Sequence, residues 1–131
     1  MTEHFRVLIV DDLPRTRQSL CALLATWPRL ASIQEAPSAE QALDLIEAAC
    51  PDIVLMDVRM PGMDGLEATR RIKARWPRVK VIVLSLYTEY AGEATSAGAD
   101  AFVCKCEPPE RLFVALEGAM TPPADDHGPE G

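Results

Sequence analysis

Positive charge is scarce in this sequence: 13 Lys and Arg stand against 20 Asp and Glu over 131 residues, a formal net charge of −7. Contact with a nucleic-acid backbone requires Lys and Arg to neutralise phosphates, so direct DNA binding by this chain is not expected. The first residues also offer little that would read as a leader. MTEHFRVLIVDD sets Glu3 before a short apolar run and two aspartates after it. That pattern fits neither a signal peptide nor a membrane span, and a cytoplasmic location is the expectation. No disulfide framework is apparent: Cys21, Cys50, Cys104 and Cys106 are irregularly spaced, and reduced thiols are expected. The C-x-C pair around Lys105 has no histidine or second cysteine pair to complete a soft metal site.

What is present is ordinary globular composition, 48% hydrophobic and 25% charged, which argues against disorder over most of the length. The length suits one domain, expected over residues 1–120, with the Pro-, Gly- and Asp-rich residues 121–131 as a disordered tail or linker. Short apolar runs predict strands at Arg6–Val10, Ser32–Glu35, Ile53–Met56, Lys80–Leu84 and Ala101–Cys104. Helical periodicity predicts helices over Pro14–Thr26, Ala39–Ala49, Gly65–Arg75, Glu89–Ala97 and Pro109–Met120. Prolines at 28, 51 and 77 stop three of these helices, because the residue before proline is pushed away from helical dihedrals. Ser38-x-x-Gln41 has the spacing of a capping box, and Gly98 sits where a left-handed residue would end the fourth helix. That helix offers only Tyr90 and alanines to a core and is expected to be the most weakly held.

Strands alternating with helices imply α/β architecture with a parallel sheet, and runs such as IVLM and VIVL mark strands buried on both faces. Ligands of such sheets bind outside the carboxyl ends of the strands. The polar residues collect there: Asp11 and Asp12 after the first strand, Asp57 after the third, Ser85 after the fourth and Lys105 after the fifth. Singly, Asp12 could cap a helix, Ser85 could end a strand and Lys105 could be a solvated charge. Together, carboxylates crowded at one sheet edge repel one another unless a cation or lysine offsets them. A few carboxylates that leave room for water and phosphate oxygens suit Mg²⁺. A carboxylate is also a nucleophile toward phosphorus, and Asp57 is the candidate. Neither a G-x-x-x-x-G-K-[ST] loop nor a glycine-rich nucleotide fingerprint occurs, so the phosphoryl group must come from another molecule.

Four segments together carry a family resemblance: LIVDD ending at Asp12, DIVLMDVRMPGMDGLEATRRIK around Asp57, VIVLS ending at Ser85 and AFVCK ending at Lys105. Over roughly Phe5 to Met120 the chain resembles the receiver domain of two-component response regulators, and in LSLY and ADAFVCK most of all those preceding a LuxR-type helix-turn-helix. The resemblance implies a flavodoxin-like (βα)5 fold with strand order 2-1-3-4-5. It implies Mg²⁺ held by Asp11, Asp12, Asp57 and the backbone carbonyl of Arg59, and phosphoryl transfer from a sensor histidine kinase to Asp57. Lys105 would pair with the phosphoryl oxygens, with Ser85 and Phe102 as the switch residues. The surface of helix four, strand five and helix five would serve as partner or homodimer face. The output would be transcriptional through a LuxR-type domain, or partner binding by a stand-alone receiver.

Two local departures from the family pattern stand out. Cys106 follows Lys105 where a proline in a cis peptide is frequent, and a cis non-proline bond costs about 3 kcal/mol. Leu86 after the switch serine and Arg59 two residues past Asp57 line the approach of attacking water, which implies slow phosphoryl hydrolysis. The competing readings are a phosphorylation-independent dimerisation or protein-binding module, an aspartate-nucleophile phosphatase, and a flavin electron carrier. Intact Asp11, Asp12, Asp57, Ser85 and Lys105 argue against the first. The phosphatase needs a general acid where Arg59 stands, and the flavin carrier rests on fold analogy alone.

Overall fold

A computed structural model describes residues 3–121, so the expectation of a disordered tail lies outside the described residues but for Thr121. Five parallel strands, β1 (Phe5–Val10), β2 (Leu30–Ala36), β3 (Ile53–Asp57), β4 (Lys80–Ser85) and β5 (Ala101–Cys104), form one sheet in the order β2-β1-β3-β4-β5. The helices are α1 (Pro14–Leu24), α2 (Ala39–Ala48), α3 (Gly65–Arg75), α4 (Ala91–Ser96) and α5 (Pro109–Met120). This is the flavodoxin-like (βα)5 arrangement, with the topological switch between β1 and β3.

Side chains that alternate along each strand divide the core in two. Leu8, Val10, Val54, Met56, Val81 and Val83 point toward α2, α3 and α4. Val7, Ile9, Ile53, Leu55, Ile82 and Leu84 point toward α1 and α5, where Leu24, Trp27, Leu112 and Leu116 cover them. The central strands are therefore apolar without interruption until the chain leaves the sheet, and polar side chains begin where the covering ends.

Several boundaries differ from the sequence reading. Helix α1 stops at Leu24 rather than Thr26, where the Thr26 hydroxyl donates to the Leu23 carbonyl at 2.7 Å and closes the turn. The fourth helical segment is not continuous from Glu89 to Ala97: a 3₁₀ turn at Thr88–Tyr90 precedes the six-residue α4, of which only Ala94 is buried. Without large apolar side chains little holds this segment against the sheet, as its composition implies. Ser38 Oγ accepts from the Gln41 N–H at 3.1 Å, and Gly98 has φ 98°, so both local signals are realised. The capping alternative for Asp12 is not: Leu13 occupies the N-cap of α1, and no side chain caps that end.

The thiols also require a correction. Cys21 and Cys50 are free, but the sulfurs of Cys104 and Cys106 are joined, because the turn after β5 brings side chains two residues apart onto the same side. No cis peptide bond occurs among the described residues.

Candidate functional site

Asp57 ends β3 in a cleft of about 260 Å³ lined by Asp12, Leu13, Asp57, Arg59, Ser85, Leu86, Tyr87 and Lys105. The sheet dictates this gathering. β1 and β3 are neighbours whose chains depart to opposite faces, which opens a crevice at their carboxyl ends. Asp11, Asp12 and Asp57 project into it with carboxylate oxygens within 4.8 Å of one another. Lys105 crosses from the far side of β4, and its Nζ donates to Asp57 Oδ1 and to Asp11 Oδ2, both at 3.0 Å. The base of the Lys105 turn is fixed by its own N–H, which donates to the Ser85 carbonyl at 2.8 Å.

Burial sets the electrostatics. The Asp11 side chain is 1% exposed and that of Asp57 12%. Desolvation pushes the Asp57 carboxyl above its ordinary range, the neighbouring Asp11 carboxylate adds to this, and Lys105 only partly offsets it. Burial would lower the Lys105 ammonium, but the carboxylates of Asp57 and Asp11 outweigh it and raise it. Both groups therefore hold protons more tightly in the folded chain than in the unfolded one. The metal-free protein is expected to lose stability as pH rises from the ordinary carboxylate range through the raised value of Asp57. A second loss is expected in alkali, as pH passes through the raised value of Lys105. Asp57→Asn is expected to remove the acidic slope and to stabilise the metal-free protein by about 1 kcal/mol at neutral pH. Urea unfolding in EDTA across pH measures both effects.

Three carboxylates and one lysine leave net negative charge in a largely desolvated crevice, and all the donor atoms are oxygens. That donor set fits a hard divalent cation such as Mg²⁺ rather than zinc.

The structure thus brings together every residue the sequence assigned to the sheet edge, and Arg59 and Leu86 line the same cleft. Ser85 is buried, and its Oγ accepts from the Tyr87 N–H at 3.0 Å. Phe102 is not in the cleft: it sits half-buried on β5, packed on the α2–α3–α4 side of the core. Three contributors went unassigned in the sequence reading. Tyr87 lies under the Arg59 guanidinium, 5.2 Å from ring centroid to charge, and meets Tyr90 edge-on at 6.2 Å. Leu13 donates its N–H to Asp11 Oδ1 at 2.9 Å and turns that carboxylate inward. Gly65, read from the sequence only as a helix start, lies against the Asp57 backbone. A larger groove of about 520 Å³ adjoins, lined by Val58, Met60, Pro61 and Tyr90 among others, but it contains neither Asp57 nor Lys105.

A model of the response regulator receiver domain matches residues 7–117, nearly all of the described chain. The chain belongs to that family. Among relatives of this receiver, the transcriptional activator protein ExaE of Pseudomonas putida is 37% identical over 116 residues, 87% of this chain and 54% of ExaE. The nitrate/nitrite response regulator protein NarL of Escherichia coli K12 is 33% identical over 119 residues, 89% of this chain and 55% of NarL. The receiver therefore spans about half the length of these relatives. A LuxR-family two-component response regulator from Aurantimonas sp. SI85-9A1 superimposes with TM-score 0.83 at 33% identity, covering 88% of this chain and 84% of that one. The response regulator domain of Thermotoga maritima CheB gives 0.81 at 27% identity, covering 92% of this chain and all of that domain. No helix among the described residues is long and apolar enough to cross a membrane.

Proposed function

We propose that residues 1–120 form a phosphorylation-dependent signalling switch in which Asp57 accepts a phosphoryl group from a sensor histidine kinase. The observation that carries this reading is the position of Lys105 Nζ, 3.0 Å from Asp57 Oδ1, beside the paired carboxylates of Asp11 and Asp12. An Asp57 oxygen attacks phosphorus as the phosphorus–nitrogen bond of the kinase phosphohistidine breaks. Lys105 then neutralises charge on the transferred oxygens. Asp11, Asp12, Asp57 and the Arg59 carbonyl would hold Mg²⁺, which when bound supplies further neutralisation of those oxygens. The chain acts as acceptor, with at most slow self-dephosphorylation, and not as an enzyme with turnover on an external substrate.

The hydrogen bonds of the cleft support a switch. Phosphorylation adds acceptor oxygens that compete for the Ser85 hydroxyl. When Ser85 turns toward them it releases the Tyr87 N–H, and the lightly packed segment after β4 can move. Phe102, half-buried beside that segment, then has room to reorient. The face of α4, β5 and α5, where Val114 is 67% exposed, would be the surface so altered and the homodimer contact. The names of the relatives support transcription as the output, through a LuxR-type domain.

Incubation with acetyl phosphate and Mg²⁺ should give one phosphoryl adduct by intact mass, absent when Mg²⁺ is chelated or in Asp57→Ala. A folded wild type that gains no adduct would support the phosphate-independent binding module instead. Leu86 is 61% exposed at the rim, with Arg59 held over Tyr87 beside it. Both restrict water, so the double substitution Arg59→Asn, Leu86→Ala should speed decay of the adduct about tenfold, equivalent to about 1.4 kcal/mol of barrier. Unchanged decay would remove these side chains from the account.

A further inference from the structure

Cys104 and Cys106 bracket Lys105, the cation of the site, and their sulfurs are joined. The two differ in access: Cys104 ends β5 and is 3% exposed, whereas Cys106 is open to solvent. Both are tied to the cleft. Cys104 Sγ lies 3.9 Å from the carbonyl oxygen of Leu86, the residue after Ser85, and the Cys106 N–H approaches Cys104 Sγ at 3.4 Å. The turn that the pair spans is the one whose Lys105 N–H bonds the Ser85 carbonyl and whose Lys105 side chain reaches Asp57. A bond made or broken here acts on the backbone that aims the lysine.

We propose that Cys104 and Cys106 are a reversible redox modification site whose disulfide fixes the turn carrying Lys105 and so speeds phosphoryl acceptance at Asp57. The inference rests on the reading of Asp57 as phosphoacceptor. The oxidant is a low-molecular-weight disulfide of the glutathione class, RSSR. The exposed Cys106 thiolate attacks one sulfur of RSSR, and the leaving thiolate takes up the proton that Cys106 gave up, forming RSH. The Cys104 thiolate then attacks the Cys106 sulfur of the mixed disulfide, closing the Cys104–Cys106 bond and releasing a second RSH. Two protein thiols are oxidised and one RSSR is reduced to two RSH, so the exchange balances without a metal. The burial of the two sulfurs sets this order, since the accessible thiol meets the reagent and the shielded one resolves the intermediate. Excess RSH drives the same steps backward, as suits a transient, redox-sensing disulfide in a reducing compartment.

In the joined form Lys105 already meets Asp57 and Asp11. Opening the pair returns backbone freedom to the turn, and it restores an S–H on Cys104 that can donate to the Leu86 carbonyl and draw that loop toward β5. Fixing about one residue corresponds to roughly fivefold in the population of the productive lysine pose. The disulfide form should therefore be phosphorylated about fivefold faster than the dithiol form.

The test uses the full chain carrying Cys21→Ser and Cys50→Ser, so that only this pair reports. Protein is treated with glutathione disulfide or with a phosphine reductant, thiols are counted by alkylation and intact mass, and adduct formation from acetyl phosphate and Mg²⁺ is timed. The expected result is loss of both alkylation sites with no glutathione retained, reversal by the reductant, and the faster rate only in the oxidised form. Adding Cys106→Ser should abolish the redox dependence and leave the slow rate under both conditions. Thiols that remain alkylatable, glutathione that stays attached, or equal rates in the two redox states would overturn the proposal. A disulfide that forms while neither redox state gains a phosphoryl adduct would overturn the phosphoacceptor reading beneath it.

Discussion

Lys105→Met is expected to slow phosphoryl acceptance about 100-fold and to destabilise the Mg²⁺-free protein by about 3 kcal/mol. Among the described residues the lysine is the only cation paired with the Asp57 and Asp11 carboxylates, since the Arg17 guanidinium bonds the Asp11 backbone carbonyl instead. With it removed, the Asp11 carboxylate is left 1% exposed with no positive partner, the costly way to break a buried ion pair. The rate falls for a separate reason, since charge that develops on the transferring oxygens loses a donor already in place. Mg²⁺ should bind the variant more tightly, because it no longer competes with an ammonium for the same carboxylates, and it should restore most of the lost stability. Urea unfolding with EDTA or Mg²⁺, alongside timed adduct formation, separates the two effects. Equal stability of variant and wild type in EDTA would mean that Lys105 does not hold the cluster together.

Gly65→Ala should be about as damaging, at about 3 kcal/mol, although the residue carries no chemistry. A Cβ at Gly65 would stand 1.9 Å from the Asp57 carbonyl oxygen and 2.9 Å from Met56 Cγ. The first is backbone and cannot rotate aside. Two contacts hold the helix start there: the Gly65 N–H donates to the Val58 carbonyl at 2.8 Å, and Asp64 caps α3 by accepting from the Glu67 N–H at 2.9 Å. Relief of the clash must push the end of β3 away and take Asp57 with it, so phosphoryl acceptance should fall at least about tenfold in whatever protein remains folded. Gly118→Ala is the control. It lies exposed in α5, a Cβ there meets nothing within 4 Å, and a gain of about 1 kcal/mol is expected. Denaturant midpoints of the three proteins check the ordering, and a Gly65→Ala protein as stable as wild type would contradict the close approach.

The fold was legible because independent signals agreed. Uninterrupted apolar runs marked strands buried on both faces, prolines marked the ends of helices, and the alternation of types required a parallel sheet. Asp11, Asp12, Asp57, Ser85 and Lys105 could be placed together because each stands at or just past the carboxyl end of a strand of that sheet, so topology alone converts sequence spacing into neighbourhood. The break at Tyr90 was less legible, since a helix with alanines and no capping side chain leaves little periodicity from which to tell one helical turn from another. The Arg59–Tyr87 stack and the Gly65 approach depend on loop paths that hydrophobic patterning does not encode. Joining of Cys104 to Cys106 was missed for a related reason: extended chain puts residues two apart on one face but too far to bond, and only the tight turn after β5 brings them together.

Reductive trapping shows whether Asp57 itself receives the phosphoryl group. Protein incubated with acetyl phosphate and Mg²⁺ is quenched with sodium borodeuteride, which reduces an acyl phosphate to a deuterated alcohol, and is then digested and sequenced by mass spectrometry. Deuterated homoserine is expected at position 57, and none at Asp11 or Asp12. Label at either of those aspartates, or phosphate retained on Ser85 with position 57 unmodified, would contradict it.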